Sequence, residues 1–479
     1  MKYFKLFFLG ICISFWIACG KDDDMQTTDE VTANFTVPTG TLFTDTDILF
    51  TNTSSNATEY EWDFGDGSNS TLKNPTHNYD IPGPYVVQLT SSSSNMDEHT
   101  KTLTINIVEK PAPITITDCG QFGNVTWTDH NPDGVDYIID CDRYQIQAGI
   151  LTIEPGTHVA LGEREKIFIN DDAGLIANEV IFTGLTSDMS WGGLVVKSGN
   201  LDLTDCQLIN SGSSATSVSG AGNVNSSIII DGTQDEPGTL RFEDLMIDGS
   251  SGYGIYMSPH AEVSNFLHNG IYTISNSPNF AISCEIDALS TFGKIESTIT
   301  DCFKEDRIEV RASETKVAFQ QLGRSFPAKK VYVSGDILFR ELNIFRHSIK
   351  AGADIMMGKD ASIIVQDSAI EIKGTSDNKI KIYGEDRTKG YWRHIRFDRS
   401  AGNNNVIEHL EISDGGAKLY PTSDGLKGGN IVLTQSSNID ILNSTITNSD
   451  DCGVLTLNST YNQLNNNIGN NSGDRFCEY

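Results

Sequence analysis

Basic residues are scarce in this chain: 34 Lys and Arg stand against 64 Asp and Glu, a formal charge of −30. A protein so acidic is repelled by phosphate backbones and anionic membrane surfaces, which excludes DNA- and RNA-binding functions. No Cys-x-x-Cys pair or His-rich spacing occurs, so no zinc site is expected. Beyond the first eighteen residues no apolar run is long enough for a bilayer helix. Helical periodicity is almost absent after residue 113, which points away from α and α/β architectures.

What is present begins with the N-terminus. Lys2 and Lys5 precede an apolar run at residues 6–18 that is too short for a comfortable span and reads as a cleaved signal peptide. Ala18-Cys19-Gly20 then resembles the lipobox of bacterial lipoproteins, although Trp16 and Ile17 depart from its usual flanks. The resemblance implies a lipid on Cys19 and a membrane tether. Lys21, Asp22, Asp23 and Asp24 resemble the acidic export tag of surface lipoproteins from Bacteroidetes-type bacteria. That implies an outer-membrane protein facing the medium, with a periplasm-facing anchor as the alternative. Residues 1–18 are therefore assigned to the signal and 19–30 to a solvated tether.

The length, 479 residues, suggests more than one further domain. An extracytoplasmic location permits disulfides, and Cys119/Cys141, Cys284/Cys302 and Cys452/Cys477 are close enough in sequence to pair, leaving Cys206 alone.

Residues 31–110 carry short alternating strands between Ser, Thr, Asn and Gly turns, as expected of an immunoglobulin-like β-sandwich. Within them Tyr60-Glu61-Trp62-Asp63-Phe64-Gly65-Asp66-Gly67 resembles the signature of PKD domains, and Asn74-Pro75, His77, Tyr79, Gly83 and Tyr85 follow at that family's spacing. Trp62 and Phe64 are expected in the core, with Asp63, Asp66 and the glycines shaping a turn. The resemblance implies an extracellular spacer or interaction module. No cofactor is called for; the acidic pair could hold Ca²⁺, but an Asp-Gly turn needs no metal.

Pro111 and Pro113 mark a linker. From there β-branched segments such as Lys166-Ile167-Phe168-Ile169 and Ile439-Asp440-Ile441-Leu442 alternate with small polar turns. A longer repeat overlays them. Ile153-Glu154-Pro155-Gly156-Thr157 is echoed at Ile349, 196 residues on (349 − 153), and Trp191-Gly192-Gly193-Leu194 is echoed at Trp392, 201 residues on (392 − 191). Short strands, polar corners and an internal repeat describe a solenoid in two homologous halves, at residues 111–330 and 331–479. The steps Ile-Glu-Pro-Gly-Thr, Ile-Phe-Thr-Gly and Trp-Gly-Gly resemble right-handed parallel β-helix proteins secreted by bacteria. The fold class is thus all-β, a sandwich followed by a β-helix, with asparagines 443, 448, 458 and 465–467 suited to laddered corners.

That resemblance includes polysaccharide lyases and glycoside hydrolases, yet the Gly-His-Gly and Arg-Ile-Lys steps of the pectin hydrolases are missing. Asp450 and Asp451 are adjacent carboxylates, but strand neighbours face opposite sides and a polar turn accounts for them. His158, His260 and His268 are isolated. The most unusual surface is basic and aromatic, residues 387–399, where alternation puts Trp392, His394 and Arg396 on one outward face. Such a face can stack on a sugar and bind a carboxylate or sulfate. The structural counterpart is that Trp392 packs a coil corner as Trp191 does. The resulting expectation is a non-catalytic surface lipoprotein whose β-helix binds glycan or another surface polymer. The alternatives are a lyase or hydrolase with a groove site, and a structural or assembly protein of the cell surface.

Overall fold

The computed structural model describes residues 30–94, 97–131, 134–233, 235–263, 271–292, 296–314, 325–327, 329–340, 347–400 and 405–479. The expected signal peptide, Cys19, the acidic tag and His268 lie outside them. The chain forms two compact units, Met1–Lys110 and Pro111–Tyr479.

The first unit is a small β-sandwich. Its larger sheet has five strands in the order Leu42–Phe43, Glu98–Val108, Gly83–Ser92, Glu59–Asp63, Asn69–Ser70. Alternation along Glu59–Asp63 turns Trp62 inward, where it is fully buried against Phe35 with ring centroids 5.0 Å apart. Its indole donates to Leu72 O at 2.9 Å, and the Tyr79 hydroxyl donates to Phe64 O at 3.0 Å, so neither buried aromatic leaves a polar atom unmatched. Asp63 accepts from the Gly65 amide and Asp66 from the Ser68 amide, each at 2.9 Å, which closes the turn. Gly65 is required there: its φ is +82° and a Cβ would stand 2.7 Å from Val86 O.

The second unit is a parallel β-solenoid of about 12 turns. Its strands stack coil on coil with side chains alternating in and out. On the longest face Ile167, Leu194, Ile228, Ile255 and Ile282 lie in one inward column. Further along the same face Ile308, Val331, Ile355, Ile382, Ile412, Ile446 and Ile468 form another. These columns merge into a single core, in which each buried aliphatic chain contributes roughly 1.5–3 kcal/mol. Corners are held by residues at positive φ, among them Asn443, Asn448, Asn465 and Asn470. Their amides stack: Asn465 donates to Asn443 at 3.3 Å and Asn470 to Asn448 at 3.0 Å.

The echoed segments do not fall on the same face. Residues after Ile153 enter an eight-stranded sheet at His158–Leu161, whereas those after Ile349 enter the long face at Asp354–Met357. Likewise Trp191 leads onto the long face at Gly193–Lys197, and Trp392 leads onto a seven-stranded sheet at Ile395–Asp398. The later segments are therefore turned by one face about the solenoid axis. Between the two echoed sets the short helix Ile286–Phe292 takes the place of a strand, its first amide donating to Ser313 Oγ at 3.2 Å on the next coil. Among the described residues the long face runs through, by way of Cys284↔Val310 and Val310↔Val333.

Cys119–Cys141 and Cys452–Cys477 form disulfides with Cα separations of 5.7 and 6.0 Å. The expected Cys284–Cys302 pair does not form. Cys284 points into the core of the long face, whereas the Cys302 thiol is turned toward Ile274 O and Thr300 O at another sheet. Proximity in sequence fails because the intervening helix and strand carry the two residues to different faces. Cys206 is free and buried.

Candidate functional site

The sequence grouped Trp392, His394 and Arg396 on an outward face, and the structure corrects this. Trp392 is fully buried in the core, and its indole donates to Ser413 O at 2.7 Å. Trp191 makes the matching bond to Ile209 O at 2.9 Å, so both tryptophans pack coil corners. The alternation argument fails for Trp392 because it precedes the strand, which begins at Ile395. His394 is only 1 % exposed, with Nε2 facing the Tyr420 hydroxyl at 3.1 Å. Burial, followed by the cations Arg396, Lys418 and Arg393, pushes its pKa down to about 3. Arg396 lies on the outer side of its strand and is half-buried.

The cover over His394 is a hairpin, Tyr420–Thr422 paired with Gly425–Lys427, whose Tyr420 also packs beside Val432 and Leu455. An earlier hairpin, Thr216–Val218 with Gly222–Val224, covers Phe168, Val195, Ile229 and Tyr256 on the outside of the long face. Lys166 fastens it, donating to Ala215 O at 2.7 Å and Thr216 Oγ1 at 2.8 Å. The two hairpins thus roof different faces, following the tryptophan corners.

Farther along the long face, clear of these roofs, lies a shallow depression of about 360 Å³. This is near the lower end of the range of small-molecule sites, roughly 300–1,000 Å³. Asp354, Lys381, Tyr383, Arg387, Glu411 and Thr445 line it. Alternation along Ile380–Gly384 sends Ile382 into the core and Lys381 and Tyr383 outward. The Tyr383 hydroxyl donates to Asp354 Oδ1 at 2.7 Å, and Arg307 donates to the same oxygen at 2.9 Å. Burial and the Asp354 bond push the Tyr383 phenol up to about 12, so it stays a donor. The Arg387 guanidinium lies 3.3 Å from the Tyr383 ring centroid, a cation–π contact that covers the ring. Glu411 pairs with Lys379 at 2.8 Å.

Sequence reading missed Asp354 and Tyr383 as a pair, since 29 residues separate them and only coil stacking joins them. It singled out Arg387 only as the start of the basic segment. The earlier echo has no comparable charge: His158 bonds Thr183 at 2.8 Å where Asp354 bonds Tyr383, and Ile181 occupies the place of Lys381.

In the sandwich, burial opposes ionisation of Asp66, but the Ser68 amide and the His77 ring outweigh it and hold its carboxyl below the usual range. His77 Nε2 stands 2.7 Å from Asp66 Oδ2. The two carboxylates thus serve the turn, and no group of three or more potential metal ligands occurs among the described residues.

A sandwich and a parallel solenoid define the class: a modular all-β protein with an open surface site. Residues 26–107 match the PKD domain family. Among solved structures, the chain is similar to the PKD1 domain of the Vibrio cholerae metalloprotease PrtV, with 34 % identity, 16 % of this chain and 96 % of that one covered, and a TM-score of 0.15. The PKD1 domain of Vibrio anguillarum Epp is 29 % identical over 16 % of this chain and 93 % of that one, with a TM-score of 0.15. A structure of carbohydrate-binding modules of promiscuous specificity from the β-sandwich superfamily is 27 % identical over 18 % of this chain and 36 % of that one, with a TM-score of 0.17. No curated protein matches the chain. The chain carries a PKD domain followed by a β-solenoid of about 12 turns.

Proposed function

We propose that the protein is a non-catalytic lipoprotein of the outer cell surface, anchored through Cys19, with the PKD domain as spacer and the solenoid as a glycan-binding element. The observation that carries the binding role is the open depression beside Tyr383, where carboxylate, ammonium and guanidinium groups line one accessible face. Sugars are recognised by such mixed donor and acceptor sets on a preformed surface. Asp354 and Glu411 are both engaged by cations, which suits a binding surface better than an acid–base pair. The acidic residues after Cys19 support export to the outer face.

A glycan array probed with the mature chain tests binding, with Tyr383→Ala as control. Expected is retention of a defined set of glycans by the native protein and its loss in the variant. Product analysis on the same glycans reads turnover, and any unsaturated or newly reducing ends would overturn the non-catalytic assignment. Mass spectrometry of the native N-terminus tests the anchor, which fails if Cys19 is unmodified and still joined to Ala18.

A further inference from the structure

Resting on the glycan-binding reading, we infer that the depression selects acidic sugars, with Arg387 and Lys381 holding a carboxylate or sulfate of the polymer. The first ground is charge. Asp354 is matched by Arg307 at 2.9 Å and Glu411 by Lys379 at 2.8 Å. Lys381 and Arg387 have no carboxylate within ion-pair distance among the described residues, although the chain carries thirty more acidic than basic groups. Because the two lining carboxylates are held by other cations, Lys381 and Arg387 keep donors for an anionic ligand, in a protein whose overall field repels anions.

The second ground is geometry. Arg387 sits over the outer face of Tyr383, which is only 7 % exposed. A sugar ring cannot stack where the guanidinium already lies, so recognition falls to the remaining donors of Arg387 and to the Lys381 ammonium. Arg387 itself is held at a φ of +56°, its amide donating to Gly384 O at 3.2 Å and its carbonyl accepting from Asn448 at 3.2 Å. The loop that carries it is thus fixed at both ends of the residue. Beside the cations, Ser413, Thr445 and Thr447 offer hydroxyls that can match those of a sugar.

The third ground is the comparison within the chain. The echoed positions hold His158, Ile181 and Thr183, and the solenoid closes there just as well. Coil packing therefore does not demand the charges at Asp354 and Lys381.

Isothermal titration calorimetry on the mature chain tests the inference with four probes: a uronate hexasaccharide, a sulfated hexasaccharide, an uncharged hexasaccharide and sodium sulfate. Expected is binding of at least one charged hexasaccharide about tenfold or more tighter than the uncharged one, weakening as salt rises. Lys381→Gln combined with Arg387→Gln should cut that affinity about tenfold or more at unchanged melting temperature, and the tighter of the two charged probes identifies carboxylate or sulfate. Equal affinity for charged and uncharged probes, or an unaffected double variant, overturns the inference while leaving glycan binding in place. Sodium sulfate binding as tightly as the sulfated sugar would reduce the site to a simple anion site and overturn it too. No binding of any saccharide would overturn both readings.

Discussion

His394 makes the region under the second hairpin sensitive to acid. The residue is 1 % exposed, has an ordinary pKa of 6.5 and is pushed down to about 3 by burial and by Arg396, Lys418 and Arg393. The folded state therefore binds fewer protons than the opened state between those two values. By linkage the stabilising contribution is complete above about pH 6.5 and is lost as pH falls toward about 3. Integrated from pH 7 to pH 5, the loss from this one group is about 2 kcal/mol, and it reaches about 3 kcal/mol by pH 4. Replacing His394 with Gln keeps an acceptor for the Tyr420 hydroxyl and removes the titration. Native-state hydrogen exchange of Ile395–Asp398 and Gly429–Thr434 at pH 7 and pH 5, corrected for intrinsic rates, reads the local stability. The native chain should lose about 2 kcal/mol more than the variant over this interval. Equal losses would refute the assignment of a buried neutral imidazole, because every other titrating group is common to both proteins.

Two further outcomes follow from the corners and the cysteines. Trp191→Phe and Trp392→Phe each leave a carbonyl, Ile209 O or Ser413 O, without its indole donor, and each should cost about 1–3 kcal/mol in hydrogen exchange of the adjoining strands; a neutral substitution would show that water replaces the bond. Replacing both Cys452 and Cys477 with Ser opens a link spanning 25 residues and should cost about 3–4 kcal/mol against urea, while alkylation of the denatured, unreduced chain should label Cys206, Cys284 and Cys302 together; protection of the last two would restore the pairing expected from sequence.

The fold was legible because its signals are local. The Trp62–Gly67 turn is closed by bonds between neighbouring residues, and the inward columns follow from strand alternation. The Trp191 and Trp392 echo also held, since both indoles close a corner in the same way. What was not legible depends on which coil lies beside which. His394 lies just before the strand Ile395–Asp398, and a hairpin 26 residues later in the sequence lies over it. Asp354 and Tyr383 meet through stacking, and a single strand's pattern has no term for its neighbour above. The failed Cys284–Cys302 pair has the same origin: a helix stands in for a strand between them, which closeness in sequence does not reveal.

The one-face turn between the echoed segments has a consequence for any long ligand. Were the later coils a simple translation of the earlier ones, equivalent surfaces would line up along the axis and a polymer could be gripped at two points in tandem. Here the counterpart of the Tyr383 surface looks out along another edge of the prism, and its residues are His158, Ile181 and Thr183. A straight chain laid along the long face passes the hairpin-covered stretch and then the depression, without meeting the same surface twice. On the proposed glycan-binding reading, the described coils present this surface to a linear polymer once despite their repetitive build, and gains in avidity would come from neighbouring molecules.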